Sequence, residues 1–535
     1  MKSKIHLVIL SFISALLLSI SWYWHLTICI FFAFVPLLFV EDRISSSGNS
    51  KGAAKLFPYA YLCFFTWNIL VTWWVVYASV GGASMAFLAN SLLMSAVFVV
   101  FSVIKNRLNK SWAIWLLIPI WIAWEHGHTL WDLTWTWLTI GNVFAFNTNW
   151  IQWYEFTGTS GGTLWVLATN IFIFQILKNN SKLKVFSKPI LKIAALIIVP
   201  IVISYTILVS YTLKQANTTV KEDPKNVVVV QPNIDPYNAK FSMEYQSQFL
   251  KVMDLIRGKV TDETDFLVLP ETFITDDLDE SAISESEALY WFRDSLIRRF
   301  PNLKIVTGGN TYIVYENEKD NTATSRKDSR TGKNYDVFNS AVYLDKNVVE
   351  VYHKSKLVPG VEQMPFPALL KPLEGLAINM GGTMGSLGKQ DKRSVFSDSA
   401  AHTSIAPVVC YESVYADYVT GYIRNGANFI FIITNDGWWQ DTPGYIQHLN
   451  YARLRAIENR RQIARSANTG ISCFIDEFGT ISEATNWWEE AVIEKKMRPN
   501  NELTFFSRFG DLISYTSVFA SMLLILWSLF LRFKK

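Results

Sequence analysis

The sequence predicts an α-helical membrane domain of about eight transmembrane helices, into which one α/β domain is inserted. Half of the 535 residues are hydrophobic and only 18% are charged, whereas an average soluble domain has about 25% charged residues. The apolar residues are also unevenly distributed, because long uncharged runs fill the first part of the chain and its C-terminal end. The chain is longer than the usual single hydrophobic core, so two or more structural units are expected.

Eight apolar runs are candidate membrane spans. Most of them approach the roughly 20 residues that a helix needs to cross about 30 Å of hydrocarbon. The run at 112–124 is short and requires its polar flank to lie near the membrane interface. The eight runs are 5–21, 24–40, 59–80, 83–104, 112–124, 161–177, 193–213 and 512–531.

The basic residues predict the orientation of these spans, because cytoplasmic loops carry an excess of lysine and arginine. Lys2 and Lys4 precede the first run, and basic clusters follow the second, fourth, sixth and eighth runs. All of these clusters lie on one side of the membrane if the N-terminus is cytoplasmic. We therefore predict a membrane domain of seven helices at 1–213, an extracytoplasmic domain at 214–510, and a C-terminal helix with a cytoplasmic tail at 511–535. In a bacterium with two membranes, the inserted domain would face the periplasm.

The segment from about 226 to 500 predicts helices packed on a β-sheet. Short β-branched runs that end in polar residues are typical of buried strands, and stretches with helical periodicity lie between them. Such layered folds gather their reactive groups where strands end. The predicted strands are 226–231, 266–270, 304–307, 341–344, 405–409 and 429–434, and the predicted helices are 243–260, 286–300 and 445–464.

Three strand ends carry reactive side chains, namely Glu271, Lys354 and Cys410. A cysteine thiolate is a nucleophile, and a nearby ammonium stabilises both the thiolate and a later oxyanion. A carboxylate in a partly dry site can take the thiol proton and return it to the leaving group. Together the three side chains suit acyl transfer through a thioester.

Each of these residues also has a purely structural interpretation. A cysteine after a buried strand is usually a small core residue, a lysine that has Lys356 nearby can be a surface residue, and a Pro-Glu pair at a strand end is often a turn. Cys410 and Cys473 are the only cysteines outside the apolar runs. In an oxidising compartment they could form a disulfide, which would exclude a nucleophilic role for Cys410.

The segments around the three residues resemble the Glu-Lys-Cys signature of the nitrilase superfamily: LPET around Glu271, YHKSKLVPGVE around Lys354 and VVCYES around Cys410. Nearly the whole chain resembles the bacterial apolipoprotein N-acyltransferases, the membrane-embedded members of that superfamily. This resemblance implies that the inserted domain is a nitrilase-like α-β-β-α sandwich. Further blocks in the family's order are EFTGTSGG at 155–162, GGN at 308–310, FNSA at 338–341, TNDGWW at 434–439 and RLRAIENRR at 453–461.

The resemblance also implies roles for individual residues. Glu271 is the expected general base, Lys354 the oxyanion stabiliser and Cys410 the acylated nucleophile. The expected supporting residues are Glu362, Tyr411 and Glu412.

Two positions depart from the family pattern. Phe241 stands where the family has a tryptophan, and Gly360-Val361-Glu362 stands where a Phe-Gly-Glu block is common. The glutamate is retained, so we expect the chemistry to be intact. The candidate contacts for substrate and lipid are Phe241, Trp438 and Trp439.

The expected reaction follows from the resemblance. Cys410 takes an acyl chain from a phospholipid, and the free α-amine of a diacylglyceryl-cysteine apolipoprotein then attacks the thioester. The expected location is the bacterial inner membrane, with the catalytic domain on the periplasmic face. The apolar, glycine-rich segment 363–398 is either a mobile lid that dips toward lipid or a long surface insertion.

The composition indicates no other class of ligand. Lysine and arginine exceed aspartate and glutamate by 49 − 45 = 4, a surplus too small to suggest nucleic acid. We predict no metal and no cofactor, because the seven histidines include no pair at ligand spacing with a carboxylate, apart from His126 and His128 beside Glu125.

Two alternative functions remain open from the residues alone. A membrane-tethered amidase of the nitrilase type would share the three catalytic residues but would hydrolyse a small substrate and need no phospholipid. A transporter or receptor would favour ionisable residues inside the helices. The predicted spans hold almost none, so the second alternative is the less favoured.

Overall fold

The computed structural model of the protein describes most of the chain as two compact units. One unit comprises Met1–Val76, Ala83–Asn217 and Phe509–Lys535, and the other comprises Tyr77–Gly82 and Thr218–Arg508. The described residues are 2–23, 26–46, 52–179, 187–217, 223–363, 366, 386–399 and 401–533.

The first unit is built from helices. Its α-helices are α1 Lys2–Tyr23, α2 Val35–Ser45, α3 Gly52–Thr72, α4 Val80–Leu108, α5 Leu117–His128, α6 Tyr154–Asn179, α7 Lys188–Asn217 and, near the C-terminus, Leu512–Phe533. Among the described residues, six helices are long and apolar enough to cross a membrane. These six segments are Lys4–Trp22, Ala54–Tyr77, Val80–Leu108, Tyr154–Asn179, Lys188–Lys214 and Leu512–Leu531.

Two of the eight predicted spans are not continuous helices. The run at 24–40 is divided between a 3-10 helix, Thr27–Phe32, and α2. A proline near the start of α2 accounts for part of this break, because proline has no N–H to continue a preceding helix. The run at 112–124 is likewise divided between a 3-10 helix, Ser111–Leu116, and α5. The figure of eight transmembrane helices therefore stays a prediction.

The second unit contains two β-sheets. The first sheet has eight strands within the described residues. Six of them lie in the order β14-β1-β2-β4-β6-β5, and in addition β3 pairs with β4 and β7 pairs with β6. β2 pairs in parallel with β1 and β4. The strands of this sheet are β1 Lys225–Gln231, β2 Phe266–Val268, β3 Ile274–Asp279, β4 Lys304–Tyr315, β5 Arg326–Lys327, β6 Asn334–Leu344, β7 Val349–His353 and β14 Ala491–Met497.

The second sheet has six strands within the described residues, in the order β13-β12-β11-β10-β9-β8. The central strands β9, β10 and β11 run parallel. Buried on both faces, β10 is an unbroken apolar run, as expected of a parallel strand. The strands of this sheet are β8 Phe396–Asp398, β9 Thr403–Val409, β10 Phe429–Thr434, β11 Ile463–Ala467, β12 Cys473–Ile475 and β13 Ile481–Ser482.

The two sheets pack face to face, with helices on their outer faces. Phe266 of β2 contacts Phe431 of β10, with ring centroids 5.4 Å apart. Helices α8 Tyr245–Leu255 and α9 Glu287–Phe292 cover the first sheet, where their apolar side chains join one buried cluster. Helices α10 Ala416–Arg424 and α11 Pro443–Asn459 belong with the second sheet. This α-β-β-α arrangement confirms the predicted sandwich.

The sandwich places the three predicted catalytic residues at strand ends from both sheets. Glu271 follows β2 and Lys354 follows β7, and both strands belong to the first sheet. Cys410 follows β9 in the second sheet. A site that combines these residues therefore depends on the packing of the two sheets.

Candidate active site

Glu271 lies in a tightly held turn after β2. The main-chain N–H of Leu269 donates to Val306 O (2.8 Å), and that of Gly308 donates to Pro270 O (3.1 Å), so the pairing with β4 continues up to this turn. A Cβ atom at Gly308 would lie 2.6 Å from Glu271 Cα. Only glycine permits this close approach of the two chains.

Lys354 joins a buried carboxylate, Glu271, and a partly exposed one, Glu362. Its side chain is 1% exposed, and its Nζ lies 3.0 Å from Glu271 Oε1 and 2.8 Å from Glu362 Oε1. The Nδ2 group of Asn339 donates to the same two oxygens, at 2.8 and 3.0 Å. The Lys354 N–H also donates to Asn339 O (2.8 Å). An ammonium and an amide thus hold both carboxylates in one network.

This network determines the charge states of Glu271 and Lys354. Burial acts to raise the pKa of Glu271, but the charge of Lys354 and the hydrogen bonds from Asn339 and Lys354 outweigh it, so the pKa is lowered. Burial acts to lower the pKa of Lys354, but the charges of Glu271 and Glu362 hold it well above its usual value. Glu271 is therefore a carboxylate that can accept a proton, and Lys354 is an ammonium.

Cys410 occupies a left-handed turn directly after β9. Its φ angle is +48°, which is uncommon for a residue other than glycine and marks local backbone strain. Burial and the charge of Glu271 raise the pKa of its thiol, while Lys354 and a hydrogen bond with Thr434 oppose this rise. The resting thiol is neutral, so it needs a base before it can act as a nucleophile.

A second polar network supports the main chain of Cys410. Ser413 Oγ donates to Cys410 O (2.8 Å), and His448 Nε2 lies 3.1 Å from the same carbonyl oxygen. His448 Nδ1 lies 2.9 Å from Asp436 Oδ1, and Arg465 donates to the other carboxylate oxygen at 2.6 Å. The turn that carries the thiol is thus anchored to α11 and to the turn after β10.

Glu412 connects the turn of Cys410 to the segment of Lys354. It accepts hydrogen bonds from the main-chain N–H groups of Val409 (2.9 Å) and Ser355 (2.7 Å). It also accepts one from the hydroxyl of Tyr352 (2.6 Å). Burial raises the pKa of Glu412, although these bonds oppose the rise. Tyr411 is buried beside it and packs edge-on against Tyr415, with centroids 5.2 Å apart.

The three aromatic candidates for lipid contact differ in their surroundings. Phe241 is 39% exposed, and its ring stacks with that of Trp438 at a centroid distance of 6.5 Å. Trp439 instead packs edge-on against His448, at 5.5 Å. Phe241 and Trp438 therefore form a partly open aromatic surface, whereas Trp439 contacts the network that supports Cys410.

Two structural alternatives can be checked directly. Cys410 and Cys473 are both free thiols, so the disulfide alternative is wrong. Glu271 and Lys354 are buried and paired with each other, not exposed. Most of the predicted lid at 363–398 lies outside the described residues. No group of three or more His, Cys, Asp and Glu side chains suited to a metal ion occurs in the part of the chain that the structure describes.

Sequence reasoning gave no role to several residues that complete the site. Asn339 lies in the middle of a buried strand, and Lys240 lies in a turn after β1 with its side chain 1% exposed. A polar residue within the FNSA block was the available signal for Asn339. The sequence around Lys240, Asp436 and His448 does not indicate which residues they contact. Their partners lie in other segments of the chain.

Comparison with known proteins gives a consistent picture. Residues 226–501 match the carbon-nitrogen hydrolase family model, and residues 14–172 match the model of the apolipoprotein N-acyltransferase N-terminal domain. The chain is 27% identical over 518 residues to an apolipoprotein N-acyltransferase of Chlorobaculum tepidum, which covers 95% of this chain and 93% of the relative. It is 25% identical over 499 residues to that of Geobacter metallireducens, with 91% and 88% covered.

A similar solved structure is that of Saccharomyces cerevisiae Nit3, described as a member of branch 10 of the nitrilase superfamily. It is 14% identical, covers 52% of this chain and 90% of its own, and superposes with a TM-score of 0.36.

Proposed function

Because the chain belongs to the carbon-nitrogen hydrolase family and carries the N-terminal domain of the apolipoprotein N-acyltransferases, we propose that it acylates lipoproteins through a thioester on Cys410. The acyl donor is a phospholipid, and the acceptor is the N-terminal amine of a diacylglyceryl-cysteine apolipoprotein. The relatives that support this proposal extend over nearly the full chain, including both the helical unit and the sandwich.

One observation carries the chemical part of the proposal. Lys354 Nζ lies within 3.0 Å of Glu271 and 2.8 Å of Glu362, in a buried site where the negative charge of an ionised Cys410 also acts on Lys354. A base, a cation and a thiol in one dry environment are the groups that acyl transfer needs.

In the first half-reaction, Glu271 takes the proton from the Cys410 thiol, and the sulfur attacks the ester carbonyl of the phospholipid. The ammonium of Lys354 stabilises the oxyanion that forms on the carbonyl oxygen. The intermediate collapses by breaking the bond to the glycerol oxygen. Glu271 returns its proton to that oxygen, so a lysophospholipid leaves and the acyl chain remains on the sulfur as a thioester.

In the second half-reaction, the neutral α-amine of the apolipoprotein attacks the thioester carbonyl. Glu271 accepts the proton that the amine loses, and Lys354 again stabilises the oxyanion. The carbon–sulfur bond breaks, the thiolate leaves, and the proton on Glu271 restores the thiol. Exclusion of water from the site favours attack by the amine over hydrolysis.

The six apolar helices support a membrane location. Both substrates reside in the bilayer, so a thiol on a membrane-anchored chain meets them at high local concentration. We place the enzyme in the bacterial inner membrane, with a helical domain at 1–213, a catalytic domain at 214–510 on the periplasmic face and a further helix at 511–535. The basic clusters on one side of the predicted spans support this orientation.

The aromatic surface of Phe241 and Trp438 is the proposed contact for an acyl chain. The two rings are stacked, and the Tyr237 hydroxyl donates to Trp438 O (2.7 Å). Phenylalanine supplies the apolar area that the family's tryptophan would supply, without an indole N–H. A contact of Trp439 with lipid stays a prediction, as does a supporting role for Tyr411.

The test is a direct search for the acyl-enzyme. Purified full-length protein is incubated in detergent with a phospholipid that carries an isotopically labelled acyl chain, and peptides that contain Cys410 are analysed by mass spectrometry. We expect the labelled acyl chain on Cys410, and its release as an amide when a diacylglyceryl-cysteine peptide is added.

Two variants provide the controls. Cys410→Ala should form no adduct and no amide, whereas Cys473→Ala, which removes the other buried thiol of the sandwich, should keep both. Wild-type protein that forms no acyl adduct but hydrolyses a small amide would instead favour the amidase alternative.

A further inference from the structure

Lys240 is a buried lysine for which the mechanism above has no use. Its side chain is 1% exposed, and its Nζ donates to the main-chain carbonyl of Glu271 at 2.7 Å. Its main chain is fixed on both sides, because its N–H donates to Asp235 O (2.9 Å) and its carbonyl accepts from Gln248 Nε2 (2.7 Å). The ammonium is therefore held against the turn that carries the proposed base.

The charges of the site favour a second cation. Glu271 and Glu362 are two buried or nearly buried carboxylates, and Lys354 supplies one positive charge between them. An unbalanced charge in a dry environment is costly unless a group of opposite sign lies nearby. Lys240 balances the charges of this group, which then has two carboxylates, Glu271 and Glu362, and two ammonium groups.

The hydrogen bonds of Lys240 leave capacity for a further negative group. An ammonium has three N–H donors, and within the described residues the one acceptor of Lys240 Nζ is Glu271 O. The ring of Phe241 lies beside it, with Nζ 5.8 Å from the ring centroid. The ammonium can therefore donate to a further acceptor while it keeps its bond to Glu271 O.

We infer that Lys240 is a second active-site cation, which positions Glu271 through its main-chain carbonyl and stabilises negative charge on the Cys410 sulfur. The inference rests on the proposed role of Cys410 as the nucleophile. Lys240 is a positioning residue in this account, because it acts through the Glu271 turn and through its charge.

The electrostatics of the site agree with this geometry. Burial lowers the pKa of Lys240 to about 8, although the negative charges of Glu271 and of ionised Cys410 oppose this. The interaction is mutual, so a protonated Lys240 also favours the ionised thiol. Lys354 is the cation among the groups with the largest effects on the Cys410 thiol. Other charged or titratable groups of the described residues also surround Lys240 and Cys410. They include Asp235, Glu362, Glu412, Asp436, His448 and Arg465.

The experiment measures the reactivity of Cys410 without any acyl donor. The full-length protein is treated with iodoacetamide from pH 6 to 10, and the rate of alkylation at Cys410 is followed by mass spectrometry. For Lys240→Met we expect a rate about tenfold lower than that of wild type at pH 7, which corresponds to about one pKa unit. The difference between the alkylation rates of wild type and Lys240→Met should decrease as the pH rises through about 8, where wild-type Lys240 loses its positive charge.

Lys356→Met is the matched control. Burial also lowers the pKa of Lys356 to about 8, and the charged groups with the largest effects on it are Arg393, Lys389, Glu412 and Asp417. We expect its alkylation profile to match that of wild type. Equal profiles for Lys240→Met and Lys356→Met would overturn the inference.

Two further variants separate charge from positioning and guard against misfolding. Lys240→Gln keeps a donor for the Glu271 carbonyl without the charge, so it should show the same loss of reactivity at pH 7. Lys240→Arg keeps the charge and should retain most of the wild-type rate. A slow Lys240→Arg together with a normal Lys240→Gln would contradict the inference. Failure of the proposed function is a different result, namely a reactive Cys410 that never acquires an acyl chain from phospholipid.

Discussion

Glu271 and Glu412 are buried carboxylates beside the same proposed nucleophile, Cys410, yet their surroundings differ. One carboxylate oxygen of Glu271 accepts hydrogen bonds from the ammonium of Lys354 and the amide of Asn339, and its pKa is lowered. Glu412 accepts hydrogen bonds from main-chain N–H groups and from the hydroxyls of Tyr352 and Tyr422, and burial raises its pKa. Burial alone therefore does not identify a base. The adjacent ammonium keeps Glu271 ionised. Glu412 is held by neutral donors and links two segments of the structure.

The largest expected effect comes from Glu271→Gln. The amide retains the shape of the side chain and can still accept from Lys354, but it cannot take the thiol proton. We expect the rate of Cys410 acylation to fall by about 10³-fold, with phospholipid binding retained. Both quantities follow from the mass-spectrometric assay and from a lipid-binding titration.

Glu412→Gln is the paired variant, and its effect should appear in stability. An NH₂ group in place of one oxygen would face N–H or O–H donors, so we expect the free energy of unfolding to fall by about 1–3 kcal/mol. In thermal unfolding, the melting temperature of Glu412→Gln should be lower than that of Glu271→Gln. The reverse order would remove the distinction between the two carboxylates.

Lys354→Met is expected to cause the next largest loss, about 10²- to 10³-fold in acylation, because the oxyanion loses its cation. It also tests the pKa argument. In wild type the pKa of Glu271 is lowered from its usual value of 4.5, so the carboxylate stays ionised at that pH and somewhat below it. Without the ammonium that pKa rises, so the acid limb of the pH–rate profile should move to higher pH. An unmoved acid limb between pH 4 and 8 would contradict the assignment of Glu271 as the base.

Gly308→Ala tests the position of the base without changing any charge. The new Cβ would lie 2.4 Å from Thr272 N and 2.6 Å from Glu271 Cα, so the turn must shift. We expect acylation to fall by about 10- to 100-fold. The neighbouring Gly309→Ala is the control, since its Cβ would meet Ile274 at 3.3 Å. Similar rates for the two variants would show that the turn tolerates displacement.

Tyr352→Phe should have the smallest effect. It removes one donor from Glu412 and leaves the main-chain donors and the Tyr422 hydroxyl in place. We expect a loss of about 1 kcal/mol in the free energy of unfolding, measured by chemical denaturation, and an acylation rate within about twofold of wild type. A large loss of activity would indicate that the Glu412 connection takes part in the chemistry.

Much of the sandwich could be predicted because its central strands are unbroken apolar runs. β1, β2, β9 and β10 all lie at the predicted places, and two of the catalytic candidates follow such strands directly. β3 was missed because its sequence ITDDLD is largely acidic, and it forms a strand through pairing with β4. Pairing between distant segments leaves little trace in local composition.

The ends of helices were harder to predict. The helix predicted at 445–464 ends at Asn459, because Arg460 adopts a left-handed conformation and β11 begins at Ile463. In the helical unit, two apolar runs form short broken helices although their composition suits a span. Hydrophobicity shows that these segments avoid water, but it does not show whether they form one helix or two.

Glu271 and Cys410 follow strands of different sheets, and this has a consequence for the order in which the site is synthesised. Glu271 and Lys354 are translated first, and the nucleophile appears only with β9 of the second sheet. A growing chain that has completed β7 holds the proposed base and the ammonium but does not yet contain Cys410. The proposed acyl chemistry needs residues from both sheets, so we expect it to begin only after the second sheet has packed on the first.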